Sequence, residues 1–279
     1  MSNVYWYGNR YVSQEEVLIS PEDRGYYFGD GAYEVFRFYS GRLYETDAHL
    51  KRLWHTAAGL RLTLPFTEAE LTSRLEELVR RSGAADGNVY LQITRGAAPR
   101  AHPFPKGAEP VVMAYASSVD RPLAAMETGI RAVAVEDIRW LRCDYKTLNL
   151  LPNVMAKQEA LDRGADEAVL HRDGTVTECS ASNLMIVKDG TVRTHPANRF
   201  ILHGVTRAVV LRLARAAEIP VLEQPFTLDE LASADEIFIT GTTVEVTPVV
   251  ALNGQAVGSG KPGPVTRRLQ QQFAATLPS

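Results

Sequence analysis

The chain has 279 residues, of which 45% are hydrophobic and 23% are charged, a composition typical of a soluble globular protein. Its length predicts one large domain or two medium ones, because single hydrophobic cores stop growing near ~250–300 residues. The formal net charge is -3, with both signs interspersed along the chain. Bulk electrostatics therefore give no reason to expect binding to nucleic acid or to an anionic membrane.

Signals of export and of membrane insertion are not found in the sequence. The N-terminal residues 1–14 are polar and aromatic, unlike a signal peptide. No apolar run approaches the ~20 residues that a spanning helix needs. Cys143 and Cys179 are the two cysteines of the chain and cannot form a disulfide framework. We therefore expect a reducing, cytoplasmic location.

The N-terminal half is predicted to contain two hairpins, two helices and two further strands. Turns at Gly8-Asn9 and Ser40-Gly41 separate short runs rich in aromatic and β-branched residues, which predicts the hairpins. The first helix is predicted to begin at an Asp47 cap, and the second at a capping box of Thr67 and Glu70. The predicted elements are hairpins at 4–12 and 33–44, a helix at 47–61, a helix from 67 onward, and strands at 88–94 and 111–116.

The C-terminal half is predicted to contain two more hairpins, whose turns are Asp173-Gly174 and Asp189-Gly190. Because the strands come in hairpins without regular βαβ alternation, the pattern argues against a Rossmann sheet and favours an α+β fold in two domains. The predicted division is a domain at 1–118, a linker at 119–128, and a second domain at 129–279. The other predicted elements are an extended segment at 130–137, helices at 149–163, 206–217 and 228–232, and strands at 236–240 and 247–252.

Lys146 differs from the other five lysines in its surroundings. It lies in the apolar and aromatic stretch from Trp140 to Leu151, whereas the others sit beside polar residues, glycine or proline. A buried ammonium is costly, so such a lysine must be paired or become neutral. A neutral amine is the nucleophile that Schiff-base chemistry needs. The alternative is a lysine paired with Asp144 or another carboxylate, and composition alone favours that alternative.

Three further features could bind a ligand that carries a ring and a phosphate. Glu178 ends a predicted strand beside the small-residue loop 179–183, where a carboxylate could face a ligand ring; the alternative is a surface glutamate. The segment 204–207 introduces a helix and offers backbone N–H groups to an anion. The segment 240–243 is a hydroxyl-rich loop after a strand. Each feature is weak alone, because a glycine and a threonine at a helix start are common in capping.

Several longer segments together resemble one known family, the D-amino-acid transaminases of pyridoxal-phosphate (PLP) fold type IV. The resemblance extends over almost the whole chain, and the segment around Lys146 is too specific to arise by chance. It implies a two-domain α+β fold of this type. The segments are Glu22 to Gly31, Thr94 to Gly96, Pro99 to His102, Glu136 to Asp144, Lys146 to Asn149, Ala156 to Ala160, Thr194 to Asn198 and Thr247 to Val249.

The resemblance implies a role for each candidate residue. Lys146 would form the Schiff base with PLP and then shuttle the proton between the substrate Cα and the cofactor C4′. Glu178 would bind the pyridinium nitrogen, which keeps the ring an electron sink. The phosphate would be held by Arg52, Val205, Thr206 and Thr242. The substrate carboxylate would be held by Tyr33, Arg100 and His102, the last two from the neighbouring subunit.

The enzyme would then be a homodimer with its active site at the subunit interface and no metal. The reaction implied is D-alanine plus 2-oxoglutarate giving pyruvate plus D-glutamate, with D-amino acids and 2-oxo acids as substrates. The sequence departs from the family at Gly241, where relatives often have serine, and at Cys179 and Ala181 in a loop that is often glycine and serine. These departures bear on cofactor affinity and leave the chemistry untouched.

Four alternatives share parts of this pattern. A branched-chain L-transaminase and an aminodeoxychorismate lyase would keep Lys146 and Glu178 but lack the anchor formed by Arg100 and His102. An (R)-amine transaminase needs no strong carboxylate anchor. A non-catalytic PLP carrier would have lost the lysine, the acid or the anchor, and all of these are present. The preference for D-substrates therefore depends on the resemblance, and chiefly on the Arg-x-His anchor.

Overall fold

A computed structural model describes residues 4–278 of the chain. The described residues group into two compact units. Unit 1 comprises the chain up to Asp120 together with Tyr145–Asn149 and Pro278, and unit 2 comprises Arg121–Asp144 and Leu150–Leu277. No helix between residues 4 and 278 combines the length and the apolar character that crossing a membrane requires.

Unit 1 is built on a six-stranded antiparallel sheet whose strand order is β2-β1-β6-β5-β3-β4. Both predicted hairpins and both predicted long helices are present. A 3-10 turn at Gln14–Glu16 and the short helix α1 were not predicted. The elements are β1 Tyr5–Tyr7, β2 Arg10–Val12, α1 Arg24–Phe28, β3 Gly31–Tyr39, β4 Arg42–Leu43, α2 Thr46–Leu60, α3 Glu68–Ser82, β5 Gly87–Thr94 and β6 Val111–Ser118.

The strands of unit 1 alternate between a core face and a second face, as the period of two requires. In β5, Val89, Leu91 and Ile93 are buried, whereas Tyr90 and Gln92 point to the other face. The buried face packs with leucines of α2 and α3 in one hydrophobic cluster. The predicted capping box of α3 is present, because the Thr67 and Glu70 side chains each bind the other residue's backbone N–H. Tyr33 of β3 is only partly buried, and its ring stacks on that of Tyr90.

The predicted Asp47 cap of α2 is wrong. The helix begins at Thr46, and its N-cap residue is Glu45 in the left-handed conformation, with φ 52° and no capping hydrogen bond from its side chain. Asp47 lies inside the first turn instead, where a negative charge still interacts favourably with the helix dipole. The helix therefore begins one residue before the predicted position, without a capping hydrogen bond from the side chain of its N-cap residue.

Unit 2 contains a nine-stranded sheet with the order β12-β11-β10-β13-β14-β7-β8-β9, and β15 pairs with β14. Among the described residues, five of its eight strand pairs are antiparallel, and the parallel pairs are β7 with β14, β7 with β8, and β11 with β12. The elements are α4 Leu123–Thr128, β7 Ile130–Glu136, α5 Leu151–Asp162, β8 Glu167–Arg172, β9 Thr175–Cys179, β10 Asn183–Lys188, β11 Thr191–Thr194, α6 Val205–Ala216, β12 Val221–Glu223, α7 Leu228–Ala232, β13 Glu236–Gly241, β14 Glu245–Leu252, β15 Gln255–Ala256 and α8 Pro264–Ala274.

Several elements of the structure, and the grouping of one segment, differ from what the sequence predicted. Helix α4 lies inside the predicted linker, and helix α8, with strands β12 and β15, had no predicted counterpart. The segment Tyr145–Asn149, with Lys146, groups with unit 1, whereas the sequence division placed the lysine in the second domain. The physical reason is backbone pairing with β3: Tyr33 N–H donates to the Lys146 carbonyl at 3.1 Å, and Leu148 N–H donates to the Gly31 carbonyl at 3.2 Å.

Candidate active site

Lys146 is held at its backbone on both sides. Its carbonyl accepts the bond from Tyr33, and its N–H donates to the hydroxyl of Thr56 on α2 at 3.1 Å. The half-buried side chain lies over the ring of Tyr33, with Nζ 4.0 Å from the ring centroid. Asp144, the alternative partner, instead accepts two hydrogen bonds from Arg142, at 3.0 and 2.8 Å. The backbone of Lys146 is thus fixed by two hydrogen bonds, and its amine lies over an aromatic ring. This arrangement is compatible with a role as a nucleophile.

The residue before the lysine packs closely against a glycine of α2, Gly59. A Cβ at Gly59 would lie 2.2 Å from Cζ of Tyr145, closer than any van der Waals contact allows. The ring of Tyr145 also packs 5.5 Å from the ring of His55. Gly59 therefore lets Tyr145 lie close to α2, and this contact helps to place the backbone of the next residue, Lys146.

Arg52 is bound to a buried carboxylate. Its Nε donates to Oε2 of Glu34 at 2.9 Å, and its Nη2 donates to Oε1 at 2.6 Å. His49 Nδ1 lies 3.1 Å from the same Oε1. Burial alone would raise the pKa of Glu34, but the charge of Arg52 and the hydrogen bond from His49 outweigh it and hold the pKa well below its usual range. The orientation of Arg52 is therefore fixed, and its contact with a phosphate stays a prediction.

Glu178 is 4% exposed, so the alternative of a surface glutamate is wrong. Its carboxylate accepts from Arg139 Nη1 at 2.5 Å and from Asn183 Nδ2 at 2.8 Å. The backbone N–H of Leu202 lies 3.0 and 3.1 Å from the two oxygens. Burial raises the pKa of Glu178, while the Arg139 guanidinium and the Leu202 N–H oppose that rise. The acid is thus fixed in one orientation by three donors.

Sequence reasoning missed the residues behind Glu178. Asp137 accepts from Arg139 Nε and Nη2, each at 2.8 Å, and from Arg172 Nε at 3.0 Å. Burial would raise the pKa of Asp137, but the two guanidinium groups outweigh it and lower that pKa. The segment that contains Asp137 and Arg139 carried part of the family resemblance, which was the signal available. Its pairing with Glu178, 39 positions away, could not be read from spacing.

The candidate phosphate residues of unit 2 lie at two chain turns. Helix α6 begins at Val205 after Gly204, which forms no side-chain cap, so the first-turn N–H groups, including that of Thr206, need partners from outside the helix. Thr242 follows β13, and the hydroxyl of Thr240 just before it is buried without a hydrogen-bond partner among the described residues. A buried, unpaired hydroxyl is costly. These residues therefore fit a ligand that brings acceptor oxygens.

Asn183 connects the acid to the helix start. Besides Glu178 it donates to the carbonyl of Leu202 at 2.9 Å. A Cβ at Gly204 would lie 1.9 Å from Oδ1 of Asn183, so glycine is required where the helix meets this side chain. Asn183 was not singled out from the sequence, where an asparagine that ends a small-residue loop carries no specific signal.

The predicted carboxylate-binding residues lie in unit 1. Tyr33 stacks on Tyr90, with ring centroids 5.9 Å apart and an interplanar angle of 29°. Arg100 and His102 are exposed in the loop between β5 and β6, and both contact one ring. Cζ of Arg100 is 5.2 Å from the centroid of Phe28, and the His102 ring is 5.8 Å from it. The structure thus brings Arg100 and His102 together.

Residues 31–252 match the model of the amino-transferase class IV family. The chain belongs to this family, whose enzymes use pyridoxal phosphate. It is 47% identical over 274 residues to a D-alanine aminotransferase of Staphylococcus haemolyticus, covering 98% of this chain and 97% of the relative. It is also 47% identical over 264 residues to a D-alanine aminotransferase of Bacillus licheniformis, covering 95% of this chain and 93% of the relative.

Solved structures agree on the fold. The branched-chain amino acid aminotransferase of Escherichia coli superposes with a TM-score of 0.95 at 27% identity, covering 99% of this chain and 95% of that one. The branched-chain aminotransferase of the archaeon Thermoproteus uzoniensis superposes with a TM-score of 0.91 at 28% identity, covering 98% and 94%. The family and the α+β fold type predicted from the sequence are both confirmed.

Proposed function

We propose that this chain is a PLP-dependent transaminase of D-amino acids, which converts D-alanine and 2-oxoglutarate to pyruvate and D-glutamate. One observation carries the cofactor assignment: Glu178 is a buried carboxylate with fixed donors, as a partner of a pyridinium nitrogen must be. The identity of 47% to D-alanine aminotransferases over nearly the whole chain supports the choice of substrate.

This proposal gives each candidate residue a role. When bound, PLP supplies the electron sink for the substrate α-carbon. Lys146 binds the cofactor covalently and moves a proton at the substrate Cα, and its fixed backbone supports that role. Glu178 holds the proton at the ring nitrogen. The phosphate is bound by Arg52, Val205, Thr206 and Thr242.

Tyr33, Arg100 and His102 bind the substrate carboxylate, because a guanidinium and an imidazole are suited to charge-assisted hydrogen bonds with it. We propose further that the protein is a homodimer in which Arg100 and His102 serve the site of the neighbouring subunit. Their exposed position supports this arrangement. Both cysteines are free and buried, which fits a reducing compartment such as the cytoplasm.

Branched-chain transamination is the second candidate, because the branched-chain enzymes share the fold at TM-scores of 0.95 and 0.91. Their identities of 27% and 28% are well below the 47% to the D-alanine enzymes. Fold similarity alone does not specify a substrate. The anchor formed by Arg100 and His102 also favours D-amino acids as substrates.

A coupled assay with three donors tests the proposal: D-alanine, L-leucine and (R)-1-phenylethylamine, each with 2-oxoglutarate. We expect turnover with D-alanine to exceed the other two by at least about 100-fold, since loss of matched polar contacts discriminates that strongly. A visible absorption band that borohydride removes is expected as well. Preferred turnover of L-leucine would establish the second candidate, and a protein that PLP leaves colourless would overturn both.

A further inference from the structure

The segment Glu22 to Gly31 belongs to the family resemblance, yet the proposed reaction gives it no role. At its centre, α1 carries Arg24, which is 3% exposed. The guanidinium of Arg24 reaches the loop between β5 and β6: Nη1 donates to the Ala101 carbonyl at 2.6 Å, and Nη2 lies 3.3 Å from the His102 carbonyl. These two carbonyls belong to the residues that directly follow Arg100.

The third nitrogen of this guanidinium, Nε, binds Asp30. Nε of Arg24 donates to Oδ2 of Asp30 at 2.8 Å, and Arg95 binds both oxygens of the same carboxylate at 2.8 and 2.9 Å. Arg95 in turn donates to the carbonyls of Leu60 and Arg61 at the end of α2, at 2.8 and 3.0 Å. Arg24 is therefore anchored through Asp30 to a long helix.

The loop itself is restrained at two further places: at its start, and at Phe104, whose ring lies 3.7 Å from Cζ of Arg95 and 4.9 Å from Cζ of Arg61. It is fastened at its start, where Arg24 N–H donates to the Gly96 carbonyl at 3.0 Å and Ala98 N–H donates to the Glu22 carbonyl at 3.2 Å. Beyond that point, Arg100 and His102 are exposed. Their shared neighbour is the ring of Phe28, at the end of α1, and Arg24 also packs on this ring at 4.8 Å.

We propose that Arg24 is a positioning residue, which fixes the Ala101 and His102 carbonyls and thereby aims Arg100 and His102 at the carboxylate of the substrate. The inference rests on the proposed function, which gives that carboxylate to Arg100 and His102. Holding these two carbonyls fixes the planes of the peptide groups on either side of His102, and with them the direction of its side chain and the path of the chain that leads from Arg100. A binding group displaced by about 1 Å can lose most of its effect.

The test compares Arg24→Gln with Arg37→Gln. Arg37 is also buried in unit 1 and also donates to a backbone carbonyl, that of Val119 at 2.8 Å, but it does not contact the loop. We expect Arg24→Gln to raise the KM for D-alanine about tenfold with little change in kcat, because an anchor that is misplaced but still present loses only part of the roughly 100-fold effect of removing it. Arg37→Gln should leave the KM unchanged. Amide hydrogen exchange over residues 97–110 should quicken in Arg24→Gln alone.

Introducing Arg24→Gln into a variant that already lacks the anchor distinguishes a positioning role from a general loss of stability. In Arg100→Ala/His102→Ala, the KM should already be raised roughly 100-fold, and adding Arg24→Gln should change it no further, because coupled residues are non-additive. If the two effects multiply instead, or if Arg24→Gln behaves as Arg37→Gln does, the positioning role is overturned. If Arg24→Gln does not fold, Arg24→Lys takes its place. The lysine keeps the positive charge beside Asp30 but cannot bind both carbonyls as the guanidinium does, so the same non-additivity with Arg100→Ala/His102→Ala is expected.

Failure of the proposed function gives a different result. If Arg100→Ala/His102→Ala itself leaves the KM for D-alanine unchanged, the carboxylate anchor is assigned to the wrong residues, and the positioning role falls with it. If that double variant raises the KM and Arg24→Gln does not, the anchor stands and only the inference about Arg24 is overturned.

Discussion

Arg139 Nη1 donates to Glu178 Oε1 at 2.5 Å, while Asp137 binds the other two nitrogens of the same guanidinium. Asp137 has a second cation in Arg172, at 3.0 Å, whereas Glu178 has Arg139 as its one ion-pair partner among the described residues. Replacing Arg139 would therefore leave Glu178, and not Asp137, as the unpaired carboxylate.

We predict that Arg139→Met lowers the free energy of unfolding by about 3–5 kcal/mol at neutral pH, because one partner of a buried pair is removed. The loss should grow as the pH rises from about 4 toward neutrality, since the unpaired Glu178 would bind its proton more tightly in the folded than in the unfolded protein. Urea unfolding at several pH values measures both effects.

The matched control is Arg139→Met/Glu178→Gln, in which the amide can still accept from Leu202 and needs no cation. This double variant should recover part of the lost stability and should lose most of the dependence on pH. If it is as unstable as Arg139→Met alone, the cost arises from packing around the arginine and not from the charge of Glu178.

We predict that Lys146→Ala abolishes transamination and the visible absorption band of the holoenzyme, because the variant loses the amine that bonds to the cofactor. Lys188→Ala is the control: Lys188 is half-exposed and pairs with Asp235 at 3.1 Å, so both properties should persist. Absorption spectra and the coupled assay measure these outcomes. Near-normal turnover of Lys146→Ala would refute the assignment of Lys146.

Gly204→Ala should be destabilising. The added Cβ would lie 1.9 Å from Asn183 Oδ1, and forcing a methyl into a packed position costs about 1–3 kcal/mol. The affinity for PLP should fall with it, since Asn183 also contacts Glu178. Urea unfolding and titration of the apoenzyme with PLP measure the two effects.

Gly241→Ser provides the contrast at the second phosphate candidate. Its Cβ would first meet a methyl of Val244, at 3.1 Å, which can shift slightly. We expect a change in the free energy of unfolding within about 1 kcal/mol and an affinity for PLP at least equal to that of the parent. Equal behaviour of Gly204→Ala and Gly241→Ser would mean that the contact with Asn183 does not restrict the helix start.

Asp30 should contribute to stability in a pH-dependent way. Burial raises its pKa, but the hydrogen bonds from Arg95 and Arg24 outweigh this, so the pKa is lower in the folded than in the unfolded protein. The contribution is therefore fully present above the unfolded value of about 4 and is lost as the pH falls through the folded value. Asp30→Asn should flatten the acid limb of the stability curve, whereas the exposed Asp120→Asn should not; equal curves would contradict the prediction.

Local signals in the sequence predicted much of the fold. The turn Asp173-Gly174 has φ of 47° and 79°, as a tight hairpin turn requires, and the capping box at Thr67 forms as expected. The predicted cap at Asp47 was wrong because α2 begins at Thr46, which places Asp47 inside its first turn. Helix α8 was not predicted, because its buried face contains few apolar residues, chiefly Leu269 and Phe273.

Long-range pairing in the candidate site could not be predicted in the same way. Arg139 and Glu178 are 39 positions apart, and no spacing rule joins them. Glu34 is different, because it lies on the inward face of β3 between Ala32 and Phe36, where an acidic residue indicates a buried cation. That signal was available in the sequence, and its partner on α2 is Arg52.

The pairing of Tyr145–Asn149 with β3 has a consequence for how the protein can be divided. The bonds from Tyr33 to Lys146 and from Leu148 to Gly31 cover an edge of β3 that would otherwise present unpaired backbone groups. A fragment that stops at residue 120 would expose this edge and invite aggregation. During synthesis, this edge of β3 likewise stays uncovered until about thirty residues beyond Asp120 have left the ribosome.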